Sequence, residues 1–291
     1  MRIVLNALRS FSRRKDPVEA FFKQAYEQRV DSIKKIYSHS AMKQRMIDFI
    51  DESADLKSNT QHFFDYVAAY SKLLEIQQLQ QIGCFLATES KVAIDEGFNG
   101  ALVATDFDHE RIDFLRSIYK DTAYRRIIFK HQDLENAKAE DFLGSQLVVA
   151  QAVLSNIQPE AMDQIFSALA KSSVQCVLIG DVYVKETLGF GAKKLASIRS
   201  PNDRNWFHPF MQLGRRNGFD AFFLPDFSYS SFKVARGIFV LHRGIPDDVH
   251  SNAAAMANKR YRHRQDLIWK VYGSISIDKH WKKGELANAQ K

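Results

Sequence analysis

The feature that most constrains this chain is a regular alternation of short apolar runs with helical patterns between residues 71 and 245. The apolar runs are Leu73–Ile76, Ala101–Thr105, Arg126–Phe129, Leu147–Val153, Gln175–Gly180, Ala221–Leu224 and Gly237–Leu241, and the helical stretches are 80–94, 109–119, 159–171 and 206–216. Such alternation with short connections is typical of parallel strands joined by crossover helices. The last two runs lie close together and predict an antiparallel pair. We therefore predict an α/β fold with a doubly wound, seven-stranded, mostly parallel sheet whose last strand is antiparallel.

The two ends of the chain differ from this middle region. Residues 17–50 show apolar spacing typical of helices, and from about residue 250 a polar helix carries Lys259, Arg260, Arg262 and Arg264. The 291 residues are enough for one large domain with additions. The predicted organisation is an N-terminal helical cap over residues 1–70, a sheet domain over 71–245 and a basic helical tail over 246–291.

The positive charge of the chain is concentrated at its ends. The formal net charge is +7, whereas residues 1–50 alone hold eleven Lys and Arg against five Asp and Glu, and residues 245–291 hold nine against five. Basic termini favour contact with an anionic partner such as a phosphate-bearing substrate, a membrane surface or nucleic acid. A basic surface that is only solvated explains the same charges equally well, so both interpretations stay open.

Several classes of protein are excluded by composition. No apolar run approaches the roughly 20 residues that a transmembrane helix needs. Only two cysteines occur, Cys84 and Cys176, both within apolar stretches, and they indicate core residues in a reducing compartment such as the cytoplasm. The nine histidines show no paired ligand spacing, so we predict no metal site. The oligomeric state is open, with a homodimer as one option.

Acidic side chains follow two neighbouring strands of the predicted sheet. Asp106 ends the second apolar run and Asp133 follows the third. In doubly wound sheets, ligands bind beyond the carboxyl ends of the strands, where the strand order reverses. An acid at the end of the second strand can accept both hydroxyls of a ribose. Asp106 and Asp108 are both candidates for the N-cap of the next helix, and we assign the ribose to Asp106 and the cap to Asp108.

The ordered set of four strand ends over residues 70–243 resembles the Rossmann-like class I S-adenosylmethionine-dependent methyltransferases. That family has a hydrophobic strand, an acidic residue and a glycine-rich loop. Leu73–Ile76 supplies the first two features, with Glu75 as the acid. The loop departs from the family, because Gln77–Gln81 and the single Gly83 stand where several glycines are usual. We interpret this as a rebuilt, glycine-poor loop.

The resemblance implies S-adenosylmethionine as cofactor and assigns roles to residues at each strand end. Asp106 would bind the ribose hydroxyls, Asp133 would face the adenine amino group, and Gln151 would flank the methyl group. The cofactor-binding residues predicted in this way are Glu75, Gly83, Asp106, Phe107, Asp133, Leu134 and Gln151. The resemblance extends vaguely to bacterial sugar and natural-product O-methyltransferases, which implies a small-molecule acceptor methylated at an oxygen.

His208 is the candidate catalytic residue, since histidine can take a proton from an acceptor hydroxyl near neutral pH. A helix-start residue with a hydrogen-bonded ring is the alternative for His208. Two other functions also stay open at this point. The basic helix at residues 259–264 would suit an RNA methyltransferase, and the glutamine-rich loop would suit a non-catalytic partner subunit with a methyltransferase-like scaffold.

Overall fold

A computed structural model describes residues 62–183, 185–188, 196–199, 205–225 and 235–272 of the chain. The helices predicted over 17–50, most of the predicted N-terminal cap and the end of the basic tail lie outside these residues.

The centre of the fold is the seven-stranded sheet that the alternation predicts. The strands are β1 Gln78–Ile82, β2 Ala101–Asp106, β3 Ile127–His131, β4 Leu147–Gln151, β5 Cys176–Tyr183, β8 Asp220–Pro225 and β9 Ala235–His242, and a separate two-stranded ribbon is formed by β6 Ile198–Arg199 and β7 Trp206–Phe207. The order in the sheet is β3-β2-β1-β4-β5-β9-β8. The first five strands pair in parallel, and β9 is antiparallel to both β5 and β8. The predicted fold class is confirmed.

Helices cover both faces of the sheet, as long apolar strands require. They are α1 His62–Leu73, α2 Thr88–Asp95, α3 His109–Tyr119, α4 Pro159–Lys171, α5 Phe210–Arg216 and α6 Asp247–Tyr272. Helices α1, α2, α3 and α6 pack on one face, and α4 and α5 pack on the other. Strand β4 shows the consequence, because Leu147, Val148, Val149 and Ala150 are all buried. A strand covered on both faces has a continuous apolar run instead of an alternating one.

The first strand is the element that the sequence places wrongly. Leu73 ends helix α1, and the next residues form a turn, so the predicted strand Leu73–Ile76 is a helix end and a connection. The strand is Gln78–Ile82, which lies between β2 and β4 and is made largely of glutamine. The glutamines that we assigned to a rebuilt loop are therefore in the middle of the sheet.

Buried hydrogen bonds explain how a central strand tolerates these glutamines. Gln80 is 1% exposed, and its Nε2 donates to Gln132 Oε1 at 3.1 Å while its Oε1 accepts from Ser145 Oγ at 2.7 Å. Gln81 Oε1 accepts from the backbone nitrogen and the hydroxyl of Ser90. A buried polar group costs little stability when its hydrogen bonds are satisfied.

Helices α1 and α6 are packed on the sheet and on each other. Phe63 of α1 lies over Gly180 of β5, where a Cβ atom would collide with the ring. Tyr70 Oη is 2.8 Å from His250 Nδ1 across the α1–α6 contact. The predicted boundary at residue 70 thus falls inside a helix of the core, and the helix after residue 246 covers part of that core. Within the described ranges, no helix has the length and apolar character that crossing a bilayer needs.

Candidate functional site

The candidate site lies at the carboxyl ends of the parallel strands. The strand order reverses between β1 and β4, and this is where doubly wound sheets open a crevice for ligands. The loop after β1 contacts the end of β2, since the Cys84 backbone nitrogen donates to the Thr105 carbonyl at 2.8 Å. The end of β3 joins them through the Gln132 backbone nitrogen, which donates to the Asp106 carbonyl at 2.9 Å. Residues from three strand ends are therefore brought together.

The loop that follows β1 runs from Gly83 to Ala87. Its backbone has the positive φ angles of a glycine-rich loop, although it contains only one glycine. Gly83 has φ 61°, Phe85 has φ 48° and Ala87 has φ 56°. Positive φ is uncommon in residues with a side chain and is costly for them. The loop thus keeps three alternating positive-φ positions, and Phe85 and Ala87 adopt conformations for which glycine is usual. Gly83 lies in this loop as predicted from the resemblance, whereas the assignment of Gln77–Gln81 to the loop was wrong, because Gln78–Ile82 form β1.

Glu75 does not lie with the other predicted site residues. It occupies the turn between α1 and β1, at the amino end of the strand and on the opposite edge of the sheet from the crevice. The reason is the misplaced first strand. We therefore remove Glu75 from the candidate site.

A buried acid that the sequence analysis missed lies beneath the loop. Glu89, in the first turn of α2, accepts a hydrogen bond from Gln81 Nε2, and burial raises the pKa of its carboxyl to about 8. Gln81 Nε2 also donates to the Cys84 carbonyl at 3.2 Å. The two hydrogen bonds of Gln81 therefore connect the end of β1 to the start of the loop, through Cys84, and to α2, through Glu89. Glu89 looks like an ordinary surface residue of an amphipathic helix in the sequence, so no local signal identified it.

Asp106 ends β2 at the position predicted for the ribose acid, but its carboxylate is fully engaged within the protein. Its Oδ1 accepts from Arg111 Nη1 at 2.9 Å and from the Asp108 backbone nitrogen at 3.2 Å. Its Oδ2 accepts from Arg111 Nη1 at 2.8 Å and from the Phe85 backbone nitrogen at 3.2 Å. The residue is 2% exposed. The neighbouring prediction is confirmed, since Asp108 is the N-cap of α3 and accepts from the Arg111 backbone nitrogen.

Two exposed aromatic side chains stand beside this ion pair. Phe85 is 51% exposed and Phe107 is 39% exposed. The Arg111 guanidinium carbon lies 5.5 Å from the centre of the Phe85 ring and 5.9 Å from that of Phe107. Large apolar side chains that stay exposed at a crevice mark surfaces where a ligand can pack.

The residues predicted for adenine follow β3 and shape a turn. The carboxylate of Asp133 accepts from the Glu135 backbone nitrogen at 3.0 Å and from Asn136 Nδ2 at 2.7 Å, so it caps a short 3₁₀ helix. Leu134 is buried in the core on the α4 face. Asp133 is nevertheless surface-exposed at the end of a strand next to β2. Its contact with an adenine stays a prediction.

Gln151 ends β4 at the switch point and has a polar atom without a partner. Among the described residues, nothing accepts a hydrogen bond from its buried Nε2. Next to it lies a polar group formed by Ser155, Asp181 and Asn205. The buried Asp181 carboxylate accepts from the Ser155 backbone nitrogen at 3.0 Å, and Asn205 Nδ2 lies 3.3 Å from Ser155 Oγ. Gln151 therefore offers a donor that a ligand in the crevice could satisfy.

His208 is a buried, hydrogen-bonded residue of the protein interior. The side chain is fully buried, its Nε2 donates to the Ile157 carbonyl at 3.2 Å, and its Nδ1 is 2.8 Å from Ser197 Oγ, which then donates. Burial lowers the pKa of its imidazole to about 4. With both nitrogens used, His208 has none to offer to an acceptor hydroxyl. The catalytic prediction for His208 is replaced by a role in holding the segment after β4.

The burial of His208 predicts that the stability of the protein depends on pH. The pKa of His208 is near 4 in the folded protein and near 6.5 in the unfolded chain. Between these values only the unfolded chain takes the proton. The contribution of His208 to stability is therefore complete above pH 6.5 and falls as the pH drops toward 4. In His208→Gln we expect a shallower loss of unfolding free energy between pH 7.5 and pH 4.5, measured by urea unfolding. Wild type measured over the same pH range is the reference. A slope in His208→Gln equal to that of wild type would contradict the assignment.

Comparison with known proteins identifies the fold. By sequence, the chain matches no protein-family profile and no curated protein. By structure, it is similar to the N-terminal domain of EvdMO1, solved in the presence of S-adenosylhomocysteine and D-fucose, with a TM-score of 0.50 and 12% identity over 68% of this chain and 94% of that one. It is also similar to the methyltransferase domain of bacterial CtHen1, with a TM-score of 0.50 and 13% identity over 64% of this chain and 99% of that one. The chain thus has the fold of the class I methyltransferases.

Proposed function

We propose that this chain is an S-adenosylmethionine-dependent methyltransferase that acts on a small molecule, at an oxygen. The observation that carries the proposal is the meeting of the positive-φ loop after β1 with the acid that ends β2, at the switch point of a class I methyltransferase fold. The structural neighbour crystallised with S-adenosylhomocysteine and D-fucose supports a sugar or a similar polyhydroxyl compound as acceptor.

The residues at the strand ends suit the parts of this cofactor. Gly83 supplies the first positive-φ position of the loop, and the exposed Phe85 and Phe107 offer apolar contacts. Gln151 Nε2, which has no hydrogen-bond acceptor among the described residues, offers a donor. Asp133 would face the adenine amino group. Asp106 would bind the ribose, although four hydrogen bonds within the protein already use its lone pairs.

The chemistry needs little from the protein beyond orientation. The cofactor supplies an activated methyl group on a sulfonium. The protein must hold the acceptor in line with that group and exclude water, and alignment alone can contribute several kcal/mol to the barrier reduction. The hydroxyl of the buried Ser155, after β4, and the half-buried amide of Asn205, before β7, would orient a hydroxyl acceptor by hydrogen bonding. Since His208 is buried and both of its nitrogens are hydrogen-bonded, we do not assign it as the base for the acceptor.

Calorimetric titration of the full chain with S-adenosylhomocysteine tests the proposal, with NAD as the control ligand of the same sheet class. We expect a measurable heat with millimolar S-adenosylhomocysteine and none with NAD, because the loop after β1 lacks the spacing of a dinucleotide-binding loop. The affinity should be weak for this fold, since two side chains stand where glycines are usual. An absence of heat and of thermal stabilisation at millimolar ligand would favour the non-catalytic partner subunit.

A nucleic acid acceptor has one specific observation in its favour. Lys259, Arg262 and His263 lie together on one face of α6, and Lys72 of α1 lies near Lys259. Arg260, in contrast, is used within the fold, since it pairs with Glu96 and Asp65. A short RNA titrated in the same calorimeter separates the two acceptors. Binding that weakens steeply with salt would support RNA. The anionic partner, a homodimer and the cytoplasmic location stay predictions.

A further inference from the structure

The carboxylate predicted to hold the ribose has no acceptor position left for it. A carboxylate offers about four lone-pair sites. The four hydrogen bonds that Asp106 accepts come from Arg111, which uses Nη1 on both oxygens, and from the backbone nitrogens of Phe85 and Asp108. A ribose diol needs two acceptor sites on the same carboxylate. The two backbone donors are fixed by the loop and by the helix cap, so only the Arg111 side chain can give way.

Arg111 has a second place to go within reach of its present one. Its Nη2 already lies 3.6 Å from Asp108 Oδ2, and its guanidinium is flanked by the rings of Phe85 and Phe107. A guanidinium that leaves Asp106 could keep a carboxylate partner on Asp108 and stack on an aromatic face. Both alternatives involve residues of the loop after β1 and of the segment after β2, so the move needs no rearrangement of the sheet.

We propose that Arg111 is a built-in competitor for the ribose, so that nucleoside binding requires its guanidinium to leave Asp106 for Asp108 and the flanking rings. This inference rests on the proposed function. It makes Arg111 a residue that sets affinity: if the released arrangement is populated at about 1%, the apparent Kd is about 100-fold weaker than that of an open site. The cofactor would bind tightly only when a substrate or partner holds the guanidinium away from Asp106.

Titration of wild type and two variants with S-adenosylhomocysteine tests this competition. Arg111→Met removes the competing charge while keeping much of the side-chain volume, and we expect its Kd to fall at least tenfold below that of wild type. It should also show a larger ligand-induced rise in Tm, because the ligand then satisfies a buried carboxylate. Arg116→Met is the matched control, since Arg116 lies on the same helix, is exposed and pairs with Asp113. Its Kd should equal that of wild type.

A second ligand pair separates competition for the ribose from a general loosening of the site. The gain in Arg111→Met should appear with adenosine and should be absent with 2′,3′-dideoxyadenosine, which lacks the diol. If Arg111→Met does not fold, Arg111→Lys replaces it. Lysine keeps the charge but not the planar fork that Asp106 and Asp108 share, and we expect its Kd to fall about threefold.

The outcomes distinguish failure of this inference from failure of the proposed function. Equal or weaker binding by Arg111→Met, beside measurable binding by wild type, overturns the competition and leaves the methyltransferase assignment in place. An equal gain with dideoxyadenosine also overturns it. An absence of binding by every variant at millimolar S-adenosylhomocysteine overturns both.

Discussion

Replacing Asp106 by alanine is expected to destabilise the folded protein by about 3–5 kcal/mol, because it removes the closer of the two carboxylates that a buried arginine contacts. The side chains of Asp106 and Arg111 are 2% and 5% exposed, and their closest contact is 2.8 Å. Urea unfolding of the variant measures the effect. Asp113→Ala is the control, since its ion pair with Arg116 is exposed and should contribute less than about 1 kcal/mol.

The double variant Asp106→Ala/Arg111→Met tests whether the lost stability comes from the buried Arg111 charge, which no longer has its closest carboxylate. We expect it to recover much of the stability that Asp106→Ala loses, because an apolar replacement of both partners avoids burying an unpaired ion. The coupling between the two sites follows from the double-mutant cycle. A loss below about 1 kcal/mol in Asp106→Ala would mean that the pair is solvated in solution, in conflict with its burial in the structure.

Gly83→Val is expected to lower the free energy of unfolding by about 2–5 kcal/mol and to abolish nucleoside binding. Gly83 has φ 61°, a conformation that is poor for a β-branched residue. A Cβ atom there would also overlap the methyl groups of Val153, closer than real carbon atoms approach, so the loop must shift. Urea unfolding gives the first effect, and titration with S-adenosylhomocysteine gives the second.

A matched glycine separates backbone strain from this overlap. Gly97 has φ 85°, and nothing lies within 4 Å of the Cβ it would carry. Gly97→Ala therefore measures the effect of backbone strain alone on the free energy of unfolding. Gly83→Ala should lower that free energy further, because its Cβ atom also overlaps Val153. Gly83→Ala/Val153→Ala should recover that difference. Equal costs for the two single alanine variants would show that the contact with Val153 is unimportant.

The strands that the sequence placed well are those buried on both faces. The runs at β2, β4 and β5 are apolar and short, and their bounds fall within a few residues of the prediction. The N-cap at Asp108 was also predictable, since a carboxylate before a helical pattern satisfies free backbone nitrogens. These features depend on local chemistry, which a single sequence displays.

Strand β1 and His208 could not be placed from local chemistry. Gln80 resembles a loop residue because its hydrogen-bond partners, Gln132 and Ser145, lie 52 and 65 residues away in the sequence. Gln81 does so because the sequence does not show that the start of α2 folds back and brings Glu89, eight residues later, to it. The error then moved the predicted acid to Glu75, on the wrong edge of the sheet. His208 has the residue type of a base, but its burial depends on Ile157 and Ser197, which only the tertiary structure brings to it. The competition at Asp106 likewise became visible only with the Arg111 side chain in place.

The packing of α1 against α6 has a consequence for how the protein folds. Arg260 pairs with Asp65, 195 residues earlier, and Tyr70 contacts His250, 180 residues later. Contacts of such high sequence separation slow folding, because the chain must close a long loop before they form. At a synthesis rate of about 5–20 residues per second, α1 is made about 10–40 s before its partner helix. During that interval α6 is not yet present to pack on the apolar surface of α1. We therefore expect the nascent chain to be most prone to aggregation, and most dependent on chaperones, before α6 is complete.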